Sequence, residues 1–476
     1  MNKYDVIIVG AGPSGYMCAY ELNKKNPNLK VLLLDKGKDI NTRYCPVLNH
    51  LIERCPSNKE GVIGCHPSCS MTCGFGGAGA YSDGKYNITT EFGGWLNDYI
   101  SDELLLELIN YADEINLQFG ATLEITNPYN DKIREIERKA IGAGLKLLRA
   151  RVRHLGTEQN LLILKRIFNY LNERIDIKMY TELVDLIVED GVCKGVITKK
   201  GEEFIGDNIV LGFGRDGSIS LGQLLSKYGV PLLNNQVDIG VRVETSNVVM
   251  DEINENLYEG KFIFTTSTDL KVRTFCSNPS GHVVLENDHH VILANGHSYQ
   301  DKKLGSNNTN FALLVSHKFQ EPFNEPNDYA YQIAKLANKL SCGSVIVQKY
   351  GDLKKGRRST PTRIQEGFVT PTLKEAVPGD LALVLSYKTM NSIIEMIEAL
   401  DKVTPGIAND DTLLYGVEAK FYSARPEVSN DLMVKKIKNL YVAGDGAGIT
   451  RGLSQASACG IYIARNILKE NEKWTR

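Results

Sequence analysis

The strongest constraint on this chain stands at its start. An apolar run, Tyr4-Asp5-Val6-Ile7-Ile8-Val9, leads directly into Gly10-Ala11-Gly12-Pro13-Ser14-Gly15. A helical pattern over 16–25, the apolar stretch 31–34 and Asp35 come next. Strand, glycine turn, helix, strand and acid is the order of a βαβ unit. Three glycines at this spacing arise by chance in a chain with 43 glycines, so the flanking elements carry the inference. Gly10 permits the tight turn off the strand, and Gly12 lets backbone approach a pyrophosphate as Pro13 and Ser14 open the helix. Gly15 allows close helix–strand packing. The helix N-terminus presents free N–H groups and a partial positive charge to phosphates. Asp35, with Lys36 beside it, comes 20 residues after Gly15, where a carboxylate accepts ribose hydroxyls. An acid there favours adenosine without a 2′-phosphate.

A second constraint lies some 430 residues later. Residues 439–446 read as a short buried strand ending in Gly444-Asp445-Gly446 at a turn. A carboxylate at that point can bind the hydroxyls of a ribityl chain, which flavins carry and NAD lacks. Arg451-Gly452-Leu453-Ser454 then opens the last helix. Its positive end can face the pyrophosphate or the flavin pyrimidine edge and stabilise anionic reduced flavin. The two ends together point to FAD and to a domain completed by the C-terminus. A third string, Gly74-Phe75-Gly76-Gly77-Ala78-Gly79, comes after two cysteines rather than a strand, and no helical pattern continues it. It reads as a backbone loop lying against a bound cofactor, not as a second nucleotide fold. Helical patterns are expected over 95–118, 131–151, 158–171, 329–339 and 390–400, and strands dominate from about 237 to 316.

Residues 6–15 (VIIVGAGPSG) and 439–448 (NLYVAGDGAG) resemble the two-dinucleotide-binding-domain flavoproteins. More narrowly, CGFGGAGAYSDGK (73–85), RHLGTE (153–158), DIGVRVE (238–244), RTFCSNPSGHVV (273–284), ANGHS (294–298) and GVEAKFYSARPEV (416–428) resemble a family of FAD-dependent dehydrogenases. These blocks span nearly the whole chain. The resemblance implies an α/β fold: a Rossmann-type FAD-binding domain with an inserted β-rich α+β substrate domain. The FAD domain would comprise 1–236 and 405–476, including a Cys-rich loop at 41–94 and a helical segment at 95–157, with the insert at 237–404. By position, Gly10, Gly12, Gly15 and Asp35 would carry the ADP half of FAD. Val184 would meet adenine through its backbone, Gly212 and Gly214 would flank the ADP site, and Asp445 would hold the ribityl chain. Gly76, Gly77 and Ala78 would line the flavin. Related chains often read Cys-Pro-Gly-Gly near Cys276, whereas this one has Asn278-Pro279-Ser280-Gly281, which puts the substrate side of the pocket in question.

Of the ten cysteines, Cys45, Cys55, Cys65, Cys69 and Cys73 fall within 29 residues. The spacing Cys65-x3-Cys69-x3-Cys73 matches no standard zinc or ferredoxin pattern, and Pro67 interrupts a regular helix. Ordinary thiols, a redox dithiol and an iron–sulfur site stay open as readings. Flavin enzymes need few protein catalytic groups, because flavin N5 carries the hydride and the protein supplies orientation and at most one acid or base. The candidates are Ser82 and Asp83, with Tyr81 and Lys85 in the same loop, and Cys276 and His282 farther on; Arg451 is a further one. His154 and Glu158 suit helix capping next to Thr157.

Lys+Arg 55 against Asp+Glu 57 leaves a net charge of −2, so no global electrostatic reason exists to bind nucleic acid or anionic membrane. The basic run Lys354, Lys355, Arg357 and Arg358 reads as a solvated loop. No apolar run reaches the ~18–20 residues of a membrane span, and the short apolar start is not a secretory signal, so a cytoplasmic setting is expected. The expected protein is an FAD-dependent oxidoreductase acting on a small molecule, with a separate redox partner. NAD(P)H could serve as a transient co-substrate. A flavin carrier coupled to a thiol or iron–sulfur centre, or a non-redox FAD protein, are the alternatives.

Overall fold

The computed structural model describes residues 3–46, 51–52, 65–66, 68–82, 84–257, 259–288, 291–298 and 302–468. Contacts divide the chain into two units. One comprises Met1–Thr126, Ala150–Leu233 and Ser423–Arg476; the other comprises Asn127–Arg149 and Asn234–Tyr422. By this division residues 127–149 and 405–422, which the sequence grouping assigned to the FAD domain, pack with the second unit.

In the first unit Lys3–Val9 is a strand covered on both faces. Val6, Ile7, Ile8 and Val9 are at most 4% exposed, as a central parallel strand requires. It pairs in parallel with Val31–Leu34 and with Glu203–Leu211, and Leu440–Val442 joins the far side of Glu203–Leu211. Asp176–Lys178 adds a parallel edge, and the antiparallel hairpin Leu183–Glu189/Val192–Thr198 extends the other side. Register sets where these strands stop. Val9 lies opposite both Leu34 and Leu211, and Leu211 lies opposite Val442. Four parallel strands therefore end level, and the turns after them open at one carboxyl-end edge, where ligands of doubly wound sheets bind.

The first helix, Pro13–Lys25, packs against the last, Leu453–Ile467. A Cβ at Gly460 would stand 2.0 Å from the Ser14 carbonyl oxygen, so the approach of the two helices depends on glycine there. The helix expected from 95 starts instead at Asp102, because Ser101 caps it by accepting from the Leu104 N–H at 3.3 Å. Leu96–Asp98 forms a separate 3-10 turn.

The second unit is built on an eight-stranded, mostly antiparallel sheet ordered 377–378, 346–349, 413–420, 237–246, 308–317, 271–278, 261–265, 145–148. The helix expected over 131–151 ends at Gly142. Gly144 takes φ +77°, and Leu145–Leu148 becomes the edge strand against 261–264. Leu145 and Leu147 fit strand alternation as well as helical spacing, and strand pairing settles the choice. On Val237–Ser246, Ile239, Val241 and Val243 belong to the apolar core, while Asp238, Arg242 and Glu244 alternate with them and are equally buried. The basic run is exposed, with Lys354 ending the short helix Tyr350–Lys354 and the rest following it, and acids hold it: Lys355 meets Asp410 at 2.7 Å and Arg357 meets Asp352 at 2.6 Å. Among the described residues no helix is long and apolar enough to cross a membrane.

Candidate functional site

The level strand ends of the first unit bring together four stretches that are far apart in sequence: 10–15, 35–43 with 70–81, 212–215 and 444–454. Gly10 leaves its strand at φ +105°, and its N–H donates to the Leu34 carbonyl at 2.7 Å. A Cβ at Gly10 would meet the Gly212 oxygen at 2.3 Å, and one at Gly15 would meet the Gly10 oxygen at 1.8 Å. Both glycines answer to the protein's own packing. Gly12 differs: its backbone is ordinary (φ −74°, ψ −176°), and the nearest atom to a Cβ would be the Gly77 Cα at 3.9 Å. Gly214 has nothing within 4 Å of such a Cβ, and Gly452 only the Gly93 Cα at 3.9 Å. None of these three is required by the protein, and each is partly or fully exposed on the crevice segments. Side chains there would fill space that a bound group uses, so the residues present fit a dinucleotide.

The Asp35 carboxylate is buried and already engaged. Oδ2 accepts from the Ala11 N–H at 2.9 Å, and Oδ1 accepts from Gly37 at 2.7 Å and Gly74 at 3.0 Å. It clasps the glycine turn to the 74–81 loop, and Oδ2, with one donor, keeps acceptor capacity. Lys36 bonds Asp216 at 2.6 Å, and the Cys73 thiol donates to the same carboxylate at 3.2 Å. Burial opposes ionisation of Asp216, but the Lys36 bond and charge, helped by Cys73 and Thr72, hold its carboxyl below the usual range. Cys73 moves the other way: burial, with the Asp216 charge adding, pushes its thiol up to about 11.

The third glycine string does lie against the fingerprint. The Gly76 N–H donates to the Ala11 carbonyl at 2.8 Å, and a Cβ at Gly77 would touch the Gly12 Cα at 3.1 Å. A Cβ at Gly79 would strike Leu453 at 2.5 Å, so the loop runs from the glycine turn to the start of the last helix. Gly76 itself is buried against Leu164, whereas Ala78 is exposed. Ser82 turns the loop back, donating to the Gly79 carbonyl at 2.7 Å and accepting from the Gly84 N–H at 3.2 Å. Asp83 lies outside the described residues.

At the C-terminal side, Gly444 turns at φ +81° and the Gly446 N–H donates to the Phe213 carbonyl at 2.8 Å. Asp445 Oδ1 accepts from the Thr450 hydroxyl at 2.7 Å, while Oδ2 has the Arg215 Nε at 3.8 Å, beyond hydrogen-bond range. Oδ2 thus retains acceptor capacity for hydroxyl donors. Burial raises the Asp445 carboxyl above the ordinary aspartate value, against the opposing pull of Arg215, Thr450 and Arg451. The Arg451 N–H donates to the Gly93 carbonyl at 2.7 Å, which straps 93–95 beside the last helix. Leu453 and Ser454 begin that helix, with Ser454 buried; Ser14 likewise packs inward, beside Gly444. Pro13 is partly exposed at the first helix start, and Val184 is an exposed residue of the Leu183–Glu189 strand.

Sequence reasoning missed Arg43. The residue is 7% exposed, and its guanidinium donates to the carbonyls of Ser70, Met71, Phe75 and Gly77. An arginine in a turn-rich stretch carries no local signal of this kind, because its partners lie 27–34 residues on.

The other candidates sit in the second unit. Cys276 is in the left-handed region (φ +44°) at a register shift of its strand, with its carbonyl accepting from Arg242 Nη2 at 2.7 Å. Burial pushes its thiol up. His282 lies opposite His297 in a hairpin, its Nε2 2.9 Å from the Leu304 carbonyl. Among the described residues no group of three His, Cys, Asp or Glu side chains is placed to hold a metal ion; Cys55 is outside them.

Residues 236–421 match the family described as FAD-dependent protein, C-terminal domain-like, and residues 1–40 match the Thi4 family. A Clostridium beijerinckii protein described as uncharacterized is 26% identical over 98% of this chain and 80% of its own length. Among solved structures, Aspergillus oryzae RIB40 formate oxidase (R554K) is similar with a TM-score of 0.45 and 16% identity, covering 99% of both chains. Geobacillus kaustophilus glycine oxidase gives 0.39 and 13%, covering 100% of this chain and 97% of that one. P. horikoshii L-proline dehydrogenase gives 0.39 and 13%, covering 100% and 95%. One family match opens on the glycine fingerprint and the other covers most of the second unit, and both matches support FAD as the cofactor.

Proposed function

We propose that the chain is an FAD-dependent oxidoreductase that passes a hydride between a small organic molecule and flavin N5. The observation that carries this is the crevice: Gly12, Gly214 and Gly452 are glycines that the protein's own packing does not require, on three segments that converge at one sheet edge. Bound FAD supplies the two-electron chemistry. The residues of the chain orient it. The first helix directs its N–H groups at the pyrophosphate, Asp35 holds the turn and reaches a ribose hydroxyl, and Asp445 takes the ribityl hydroxyls. The N-terminus of Leu453–Ile467 sets a positive potential beside the crevice, which favours a negatively charged reduced ring. The substrate, and the donor or acceptor that restores the flavin, are free molecules in this reading, with NAD(P)H one of those to be tried. The thiol-carrier alternative gains nothing from Cys73, because a thiol raised by burial is a poor nucleophile and a poor redox centre at neutral pH.

The test is direct. Purified protein should show flavin absorbance or take up added FAD, and anaerobic addition of small amines, alcohols and hydroxy acids, with NADH and NADPH alongside, should bleach it with at least one of them. Protein that neither contains nor binds FAD refutes the reading.

A further inference from the structure

We infer that Arg43 is the positioning residue of the FAD crevice, building the flavin-side loop into its binding shape before the cofactor arrives. The inference rests on the FAD reading above and goes beyond it, since nothing in the glycine fingerprint or the C-terminal turn involves this side chain. Arg43 Nε donates to the Ser70 carbonyl at 3.0 Å, and Nη2 donates to Ser70 at 2.6 Å and Met71 at 3.2 Å. Nη1 donates to Phe75 at 2.7 Å and Gly77 at 2.9 Å. The guanidinium stands 5.1 Å over the Tyr81 ring, so the same group closes both ends of the 70–81 loop.

Among the described residues its hydrogen bonds all go to main-chain oxygens and none to a carboxylate. Burying a guanidinium in this way costs desolvation, which shows as the lowering of its pKa by burial. A cost of that kind is compensated only where several carbonyls converge, and here they converge from one loop. The geometry has a directional consequence. A trans peptide places N–H and C=O on opposite sides. With the Phe75 and Gly77 carbonyls turned onto Arg43, the following N–H groups, of Gly76 and Ala78, point the other way. The Gly76 N–H does so, donating to the Ala11 carbonyl in the glycine turn. Ala78 is exposed. Lysine could keep the charge but offers one compact head instead of a planar fork, and cannot reach carbonyls on both sides of the loop.

The experiment compares the cofactor with its half. Apo wild-type, Arg43→Met and Arg43→Lys proteins are titrated with FAD and, separately, with ADP. The glycine turn and Asp35 remain in both variants, so ADP affinity should stay within about threefold. FAD affinity should fall about 10- to 100-fold in Arg43→Met, and nearly as far in Arg43→Lys, because the preorganised loop is lost. Hydrogen exchange on apo wild-type protein is the second measurement and does not depend on either variant folding. The amides of 74–77 should exchange slowly without FAD. Equal losses of FAD and ADP affinity would overturn the inference, as would unchanged FAD affinity, full rescue by lysine, or fast exchange of 74–77 in the apo protein. A wild-type protein that binds ADP but not FAD would instead defeat the FAD reading itself.

Discussion

Two glycines of one fingerprint, three residues apart, should fail in opposite ways when changed to alanine. At Gly15 the new methyl carbon would lie 1.8 Å from the Gly10 oxygen and 2.9 Å from its carbonyl carbon. An ordinary contact is nearer 3.5 Å, so strand and helix must separate by more than an ångström, a cost of about 1–3 kcal/mol or more from overpacking. At Gly12 the same methyl has no protein atom nearer than 3.9 Å, on a backbone that alanine adopts readily. Alanine there gains ~0.4–1 kcal/mol from a less flexible unfolded chain. It loses a comparable ~0.5–1 kcal/mol because alanine is a poorer N-cap than glycine. Apo stability of Gly12→Ala should therefore stay within about 1 kcal/mol of wild type. In the proposed reading the methyl would occupy the space of the pyrophosphate, and FAD affinity should fall by about 2–3 kcal/mol, roughly 30- to 150-fold. Urea midpoints of the apo proteins, with FAD titrations followed by quenching of flavin fluorescence, separate the two effects. If Gly12→Ala loses as much apo stability as Gly15→Ala, or binds FAD like wild type, the assignment of Gly12 to the ligand is wrong.

Asp445 should make FAD binding pH-dependent. Its carboxyl is raised by burial, so the ionised form costs stability above the folded value and that cost disappears as pH falls through it. In the proposed reading ribityl hydroxyls donate to the ionised form, so FAD affinity should drop as pH falls through this raised value, at a pH where an ordinary aspartate is still ionised. Asp445→Asn should flatten the profile, and a profile unchanged by it would rule out the ribityl contact. The buried fork between Arg153 and Asp113, with Nε–Oδ1 at 2.7 Å and Nη2–Oδ2 at 2.8 Å, should make Arg153→Met destabilising by about 3–5 kcal/mol, because Asp113 is left buried and unpaired. Denaturant unfolding measures this, and Asp113→Asn added to Arg153→Met should recover part of the loss. Cys73, with a thiol at about 11, should resist iodoacetamide at pH 8, where only about one thiol in a thousand is ionised. Peptide mass spectrometry across pH checks it, and rapid labelling at pH 8 would contradict the burial argument.

The sequence shows most where chemistry and geometry coincide locally. Gly10, Gly12 and Gly15 sit on one strand–turn–helix, so their spacing together with the flanking elements places them, and Gly444-Asp445 is legible for the same reason. Asp35 shows where local reading stops. Its position at the strand end and its bond from the Gly37 N–H two residues on are local, but its partner Gly74 comes from a loop 39 residues away whose path no pattern encodes. Arg43 was invisible because its role exists only once residues 70–77 fold around it. The leucines of 145–148 satisfy both helical and strand periodicity, and only pairing with 261–264 made them a strand. On Val237–Ser246 the alternation of valine and isoleucine with Asp238, Arg242 and Glu244 looks like one buried and one solvated face. Both faces are buried, because the polar side finds its own partners: Glu244 accepts from Asn308 at 3.0 Å and from the Tyr415 and Thr372 hydroxyls, each at 2.5 Å.

The crevice also dictates when the first unit can become complete. Its sheet holds Leu440–Val442 beside Glu203–Leu211, and its first helix is covered by Leu453–Ile467 through the close approach of Gly460 to Ser14. The fingerprint thus precedes its neighbouring turn and covering helix by some 430 residues, and it lacks both until residues 440–467 are available. In the proposed reading FAD contacts all four stretches at once, so it would bind only the state in which they have met, and its binding free energy would add to that state alone. The bare fingerprint, with the partial charge of one helix end, keeps an ADP-sized fraction of the contacts. Cofactor capture and closure of the chain ends are therefore one equilibrium. Arg43 matters within it because it removes one uncertain segment, the 70–81 loop, from what the cofactor would otherwise have to order.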